Sequence, residues 1–247
     1  MQLNIYETVQ ELIQLLAEYF VKLTSETALQ NKRFSVALSG GNSPKKLYAL
    51  LASDSYKNQI DWANIDFFFG DERYVPQTDA ASNFKMVNEV LFIPLNIPEK
   101  QIFPVNTALT PSDAANDYAV TLNSYFNSDT PQFDLILLGL GDNAHTASLF
   151  PYTGVLHETK PTVKAVFLED QKVYRITLTA PFINLAHNIT FLVFGGDKAV
   201  AVKDVLQGKN DIENYPAQLI KPTAGKLVWF LDKEAASAIE NAANNFH

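Results

Sequence analysis

The stretch from Phe133 to Pro151, FDLILLGLGDNAHTASLFP, decides how the fold of this chain is interpreted. It opens on an almost uninterrupted apolar run, which is typical of a strand buried on both faces of a parallel sheet. Gly139 to Ala144 then match the relaxed dinucleotide fingerprint G-x-G-x-x-G/A. Two interpretations are open at this point: a turn that binds a nucleotide cofactor, or a loop that presents His145 to a substrate.

The position of the stretch argues against a nucleotide cofactor. The fingerprint belongs in a β-α-β unit, usually the first, and here it lies beyond the middle of 247 residues. His145, Thr146 and Ser148 follow it in place of a plain apolar helix face. A single His is more often structural than catalytic, but His145 comes after a predicted strand and between small residues, where a ring nitrogen can reach a ligand. We therefore expect no nucleotide cofactor at this turn and take His145 as a candidate general base.

Apolar runs and helical patterns alternate along the rest of the chain. Further buried strands are predicted at Phe34–Leu38, Ile65–Phe69, Ile189–Phe194 and Leu227–Leu231. Helices are predicted over residues 8–30, from Asn42, from Asn83, from Thr110, over Lys198–Leu206 and over Lys233–Ala243. Val163–Leu168 and Tyr174–Leu178 flank a polar turn and predict a hairpin. This alternation predicts a Rossmann-like three-layer α/β/α sandwich with a mainly parallel sheet, formed as one domain over residues 1–247.

Composition narrows the classes of partner. The formal net charge is -8 and no dense Lys/Arg block occurs, which argues against a nucleic-acid or anionic-membrane surface. The N-terminus lacks the basic start of a signal peptide, and no apolar run approaches the 18 or so residues that span a bilayer. The chain has no Cys, which suits a reducing cytosol, so we expect a cytoplasmic protein. We also expect a monomer or small homo-oligomer that acts on small molecules.

In such sheets ligands bind beyond the carboxyl ends of the strands, which makes the segments after the predicted strands the candidates for a site. The first joins a strand to a helix and consists of Ser39, Gly40, Gly41, Asn42 and Ser43. Paired glycines, hydroxyls and a helix N-terminus together favour an anion such as phosphate, although a purely structural tight turn is the alternative. The segment is not a P-loop, because G-x-x-x-x-G-K-[ST] is absent.

Two further segments bring charges to the same edge. Asp71, Glu72 and Arg73 follow one predicted strand directly. Arg73 suits a phosphate or a developing oxyanion, with Asp71 or Glu72 fixing its orientation. Arg175 lies in the predicted hairpin, and Lys198 opens a helix, where a cation often implies an anionic ligand. The alternative for each is a solvated or paired surface charge.

Several enzyme classes are excluded by what the motifs lack. The four His residues show no zinc-ligand spacing and there is no Cys, so no metal is expected. A Ser-His-Asp hydrolase is disfavoured because no G-x-S-x-G elbow occurs. Ser43 to Lys46 match S-x-x-K, but the S-D-N and K-T-G motifs of penicillin-binding enzymes are missing.

Taken together, five blocks resemble a known family. LSGGNSPKKLY, GDERYVP followed by SNF, GLGDNAHTASLFP, YRITLT and GGDKA occur in this order between about Phe34 and Trp229. They resemble the bacterial type of 6-phosphogluconolactonase, within the glucosamine-6-phosphate isomerase/deaminase superfamily. The resemblance implies a Rossmann-like α/β/α fold and hydrolysis of 6-phospho-D-glucono-1,5-lactone without metal or organic cofactor.

The resemblance also implies roles for individual residues. His145 would activate the attacking water, while the loop from Ser39 to Ser43 would hold the phosphate together with Arg175 and Lys198. Arg73 would lie near the lactone or the phosphate, with Asp71 beside it. A lactone is an activated ester, so water, one general base and one group for the oxyanion can suffice.

One departure from the family block concerns its central residues. The usual sequence is G-x-G-x-D-G-H, whereas this chain carries Asn143 and Ala144 before His145. Asn143 can accept a hydrogen bond but lacks the charge that would raise the His pKa, and Asp142 is a candidate to replace that charge. Ala144 is expected to cost little unless its backbone is left-handed. The alternatives are a deaminase or isomerase acting on a related sugar phosphate, and a sugar-phosphate-binding protein without catalysis.

Overall fold

The computed structural model of the protein describes residues 1–128 and 130–240. Its strands are β1 Gln2–Tyr6, β2 Phe34–Leu38, β3 Ile65–Phe69, β4 Asp71–Arg73, β5 Leu135–Leu138, β6 Val163–Leu168, β7 Val173–Leu178, β8 Asn188–Val193 and β9 Lys226–Asp232. Its α-helices are α1 Val9–Ala28, α2 Asn42–Leu51, α3 Asn83–Val87, α4 Ile93–Leu95, α5 Pro111–Phe126, α6 Ala180–Ile183 and α7 Ala199–Gln207. A π-helical segment, Asn88–Phe92, joins α3 to α4. Short 3₁₀ helices lie at Trp62–Asn64, Glu99–Gln101, Gly154–His157, Gly196–Lys198 and Pro216–Leu219. No helix in this part of the chain has both the length and the apolar character needed to cross a bilayer.

The main sheet is parallel throughout, with strand order β1-β9-β8-β5-β2-β3. Successive side chains of a strand point to opposite faces, and the core divides accordingly. Val36 and Leu38 pack in one buried cluster with residues of α1 and α2, whereas Ala37 belongs to a second cluster with residues of α5 and α7. Helices therefore cover both faces, and the predicted three-layer α/β/α architecture is confirmed.

The chain reverses its direction of winding between β2 and β5. From β2 it continues to β3 at one edge of the sheet, and it then returns to β5 on the other side of β2 before continuing to β8. The junction is fixed by Asp134, whose Oδ2 accepts hydrogen bonds of 2.8 Å from both the backbone N and the Oγ of Ser35. Such a reversal opens a crevice at the carboxyl ends of the strands, which is where ligands bind in open α/β sheets.

A second, antiparallel sheet with order β4-β7-β6 lies beside this crevice. It contains the predicted hairpin, in which Val163 pairs with Leu178. The segment from Asp71 to Arg73 was predicted as a loop and is instead strand β4. These three charged residues have little strand preference of their own, and pairing with β7 sets their conformation.

The two ends of the chain differ from the sequence analysis, one by a strand that was missed and the other by a helix that does not form. Strand β1, parallel to β9 at the sheet edge, was not predicted, because it has only 5 residues, too few for its alternation of polar and apolar side chains to stand out. The helix predicted over Lys233–Ala243 does not form over 233–240, where the backbone makes isolated turns. Asp232 Oδ1 accepts from the backbone N of Ala235 at 2.8 Å, as the N-cap of a helix would, but only isolated turns follow it. Residues 241–243 lie outside the described part of the chain.

Candidate active site

A cleft of about 420 Å³ lies at the carboxyl ends of β8, β5, β2 and β3, over the reversal in strand order. Its walls come from four post-strand segments that are far apart in sequence. They include Ser39 to Pro44, Asp71, Arg73, Asn83, Gly139 to Gly141, His145 to Ala147, Leu192 to Phe194, Asp197 and Lys198. The sheet topology therefore brings most of the sequence-predicted residues into one space.

The segment after β2 exposes an uncapped helix N-terminus. The N-cap of α2 is Gly41, with φ +101° and no side chain to cap the helix, whereas Thr8, Ser82 and Thr110 cap α1, α3 and α5 through their hydroxyls. Among the described residues, no acceptor pairs with the backbone N–H groups from Gly40 to Ser43. Free N–H groups and the positive end of the helix dipole form a site suited to an anion.

Tyr48 holds the backbone of Ser39, the first residue of the segment after β2. Its hydroxyl accepts from the backbone N of Ser39 at 3.0 Å and donates to the Ser39 carbonyl at 2.9 Å. The ring is fully buried, and burial raises the pKa of this phenol beyond its usual range. The start of the segment after β2 is thereby held by a buried, uncharged side chain.

His145 is held at the end of β5 by a tight turn. Gly141 N donates to the His145 carbonyl at 2.8 Å, and the imidazole stacks on Phe150 with ring centroids 4.0 Å apart. Ala144 within this turn has φ +58°, so the backbone is left-handed where the family block has Gly. A non-Gly residue in that region costs about 1–2 kcal/mol. This is the left-handed case for which the sequence analysis expected a cost at Ala144, whose methyl group is buried in the core.

Asn143 sets the tautomer of His145. Its Oδ1 lies 2.5 Å from His145 Nδ1 and 3.4 Å from the His145 backbone N. An amide oxygen only accepts, so Nδ1 carries the hydrogen and Nε2 keeps its lone pair free for a proton. Asn143 thus supplies the orientation expected of an Asp at this position without supplying the charge.

The environment of His145 keeps the imidazole neutral. Burial lowers its pKa from 6.5 to about 4, because the charged form loses solvation. Asp71 and, more weakly, Asp142 oppose this shift, while Lys198 and Arg175 add to it. At neutral pH the free Nε2 is therefore available as a base.

Asp71 is buried and held between two loops. Its Oδ2 accepts from Ser148 Oγ at 2.6 Å, and its backbone carbonyl accepts from Asn83 Nδ2 at 2.9 Å. Ser148 belongs to the His145 loop, so this bond ties that loop to β4. Asp71 is the carboxylate that acts most strongly on the imidazole, ahead of the exposed Asp142.

Arg73 is not oriented by either neighbouring carboxylate, contrary to the prediction. Its Nη1 donates to the Ala81 carbonyl at 2.7 Å. Glu72 instead turns inward, where its two carboxylate oxygens accept from the backbone N of Asn83 at 2.7 Å and of Phe84 at 2.8 Å. Burial raises the pKa of Glu72. Within residues 1–128 and 130–240 no ion pair joins Arg73 to a carboxylate, so its charge is available to a ligand.

The two other predicted cations lie in different surroundings. Lys198 lines the cleft and pairs with Asp197 at 3.2 Å. Arg175 stands opposite Arg73 in the β4–β7 ladder, and burial together with the charge of Arg73 lowers its pKa. Like charges directly opposite one another destabilise a strand pair. Arg175 does not line the cleft, and neither do Asp142 and Asn143; Asn143 faces a separate cavity of about 740 Å³.

Sequence reasoning assigned no role to several residues that line the cleft. Asn83 and Thr146 are the buried polar members of this group, and Thr146 Oγ1 donates to the Gly139 carbonyl at 2.8 Å. Both fall inside the quoted sequence blocks, which was the available signal. In the described chain no group of three or more His, Asp or Glu side chains is placed to hold a metal ion.

Comparison with known proteins gives consistent relatives. The family model described as glucosamine-6-phosphate isomerases/6-phosphogluconolactonase matches residues 7–229. A 6-phosphogluconolactonase from Synechocystis sp. is 40% identical over 205 residues, which cover 81% of this chain and 82% of the relative. One from Nostoc sp. is 38% identical over 219 residues, covering 87% and 88%. The solved structure of 6-phosphogluconolactonase from Trypanosoma brucei has a TM-score of 0.84 at 31% identity, covering 97% of this chain and 98% of that one.

These matches confirm the resemblance that the five sequence blocks carried, and with it the expectation of an enzyme of the 6-phosphogluconolactonase type. They cover both halves of the cleft, from the segment after β2 to the helix that follows Lys198. The chain belongs to the family of glucosamine-6-phosphate isomerases and 6-phosphogluconolactonases.

Proposed function

We propose that this protein hydrolyses 6-phospho-D-glucono-1,5-lactone to 6-phospho-D-gluconate, the second step of the oxidative pentose phosphate pathway. One observation carries the proposal: a neutral imidazole with a free Nε2 lines the same cleft as an uncapped helix N-terminus. The first suits a general base and the second suits a phosphate, and the proposed substrate presents a carbonyl and a phosphate on one small molecule.

In the proposed reaction, Nε2 of His145 takes a proton from a water molecule as the water oxygen bonds to the lactone carbonyl carbon. The bond between that carbon and the ring oxygen then breaks, and the imidazolium returns the proton to the leaving ring oxygen. Arg73, whose charge has no carboxylate partner in the described chain, stabilises the carbonyl oxyanion or the phosphate. General base catalysis of this kind contributes about 10²–10⁴ in rate.

The phosphate is assigned to the backbone N–H groups from Gly40 to Ser43, assisted by Lys198 and Arg175. Binding energy from this remote group orients the lactone against His145. Lys198 lines the cleft directly, so it is the stronger candidate for contact, and Arg175 acts from beside Arg73 on the same face of the β4–β7 ladder.

Phe150 favours a lactonase over an amino-sugar-phosphate deaminase. The deaminases of the superfamily are expected to carry a Phe-Asn-Glu-Pro segment after the His block, whereas this chain has Ser148-Leu149-Phe150-Pro151, with Phe150 in place of the acidic residue expected of a ring-opening site. Its ring lies flat against His145, with an angle of 17° between the two planes. An apolar surface beside the imidazole supports a single-base hydrolysis.

Freshly prepared lactone gives the direct test. The wild-type protein is expected to speed its disappearance above spontaneous hydrolysis, and His145→Asn should lower kcat by about 10²-fold or more while keeping the shape of the side chain. Wild-type protein that adds nothing to the spontaneous rate, with His145→Asn no worse, would contradict the proposal. Ammonia or ketose release from glucosamine 6-phosphate would point to the deaminase, and phosphosugar binding without turnover to a non-catalytic protein.

A further inference from the structure

Asn83 is a buried residue of the cleft wall to which no function has been assigned above. It is the first residue of α3, its exposed fraction is 1%, and it lines the cleft beside Gly40 and Asp71. Helix α3 is already capped by Ser82, so the helix does not require an Asn at this position.

Two bonds fix the direction of the Asn83 amide. The backbone N donates to Glu72 Oε1 at 2.7 Å, and Nδ2 donates to the Asp71 carbonyl at 2.9 Å while lying 3.4 Å from Asp71 Oδ1. Because Nδ2 is committed to the Asp71 side, Oδ1 must point away from it.

The Oδ1 atom of Asn83 lacks a hydrogen-bond donor among the residues that the structure describes, which suggests that a ligand supplies one. It is buried, and no donor in the described chain reaches it. Leaving a buried amide oxygen unpaired is costly, and native proteins rarely do so without a functional reason. An acceptor of this kind in a cleft wall is matched by a hydrogen-bond donor on the bound molecule.

Gly40 shows that space is reserved for this amide. A Cβ atom at position 40 would lie 1.7 Å from Oδ1 and 2.3 Å from Cγ of Asn83. Gly40 does not have the positive φ that Gly41 has, so its backbone conformation alone would accept a side chain. The absence of a side chain at position 40 therefore serves Asn83, whose amide forms this part of the wall.

We propose that Asn83 Oδ1 accepts a hydrogen bond from the C2, C3 or C4 hydroxyl of the bound phosphosugar, so that Asn83 contacts the sugar rather than the phosphate. The inference rests on the proposed function, because it needs a ligand with several hydroxyls. Ionised phosphate oxygens can only accept hydrogen bonds, and so can Oδ1, so the phosphate cannot be its partner. Oδ1 lies against Gly40 and is closed to solvent, so a ligand hydroxyl reaches it only after the amide rotates, which the soft terminal torsion of Asn permits.

Calorimetric titration with 6-phosphogluconate and its 2-, 3- and 4-deoxy analogues tests the proposal. Wild-type protein is expected to bind one deoxy analogue about tenfold more weakly than the parent, since that analogue leaves the buried acceptor unpaired. Asn83→Ala should bind the parent about tenfold more weakly and no longer distinguish it from that analogue. Asn83→Ser serves the same purpose if the Ala variant does not fold.

Ser148→Ala is the matched control, because it removes a bond to Asp71 without touching Oδ1. It should weaken all four ligands by one factor and keep the wild-type preference. Equal binding of all four ligands by the wild type would overturn the proposal, as would an Asn83 variant that keeps the wild-type preference. The first of these outcomes needs no variant, and lactone turnover by the same preparation separates it from failure of the proposed function.

Discussion

Replacing Asn143 with Asp tests how the base at the centre of the cleft is tuned. Asn143 Oδ1 lies 2.5 Å from His145 Nδ1, and a carboxylate oxygen fits the same position without a change of shape. The substitution keeps the tautomer of His145 and adds one negative charge in contact with the ring. It therefore changes the charge beside the imidazole and leaves the geometry alone.

The expected shift follows from that contact. An opposite charge within about 4–6 Å moves a pKa by about 1–3 units toward the charged form, which here means upward. From a starting value of about 4, set by burial, the pKa of His145 should rise to between about 5 and about 7. In the proposed mechanism the neutral imidazole is the active form, so activity should be present above the pKa and lost as pH falls through it. The acidic limb of the pH profile should therefore move to higher pH by about 1–3 units.

The assay is kcat/KM for the lactone between about pH 4 and pH 8, corrected for spontaneous hydrolysis at each pH. The chemical shift of the His145 ring proton gives the pKa independently of turnover. Asp142→Asn is the control, because this exposed carboxylate also raises the His145 pKa but is screened by solvent, so its loss should move the limb only slightly downward. Acidic limbs that coincide for wild type and Asn143→Asp would refute the assignment of His145 as the titrating base.

Three further predictions concern the phosphate side of the cleft. Gly41→Ala should lower the free energy of unfolding by about 1–2 kcal/mol in a denaturant titration, since φ is +101° and no neighbouring atom adds a clash; an unchanged midpoint would contradict this. Lys198→Ala should raise KM for the phosphorylated lactone more than Arg175→Ala does, because only Lys198 of the two lines the cleft. Neither substitution should alter hydrolysis of unphosphorylated gluconolactone, because both cations are assigned to the phosphate. Tyr48→Phe should lower the free energy of unfolding by about 1–3 kcal/mol because it leaves the buried backbone N–H and carbonyl of Ser39 unpaired, and a thermal melt that matches wild type would argue against that support.

The buried strands were the part of the fold that the sequence predicted best. β2 and β3 have the bounds predicted for them, because each is an apolar run ended by Gly or polar residues. β4 could not be predicted in this way, since Asp71, Glu72 and Arg73 become a strand through their partners on β7. Tertiary pairing overrides a weak local preference there.

For the candidate site, the predicted topology was enough to show which segments share a cleft. The backbone conformations and side-chain contacts within those segments could not be predicted. Parallel strands deliver their following loops to one edge, which is why His145 and Gly41 share a cleft. Ala144 itself gives no signal of its left-handed backbone, because that conformation is typical of Gly, and only the Gly of the family block pointed to it. Asn83 was missed because its role depends on contact with Gly40, a residue that only the folded chain brings against it.

The pairing of β2 with β5 joins parts of the chain that lie far apart in sequence. Ser35 and Asp134, which join these strands, are 99 residues apart in the chain, so the segment after β2 is synthesised long before the His145 loop that lines the same cleft. Contacts of such long range are slow to form. A ligand that touches both segments binds the joined state alone, and at 100 times its Kd it stabilises that state by about 2.7 kcal/mol. Bound substrate would thus stabilise the contact between the segment after β2 and the His145 loop, the two segments that its hydrolysis requires.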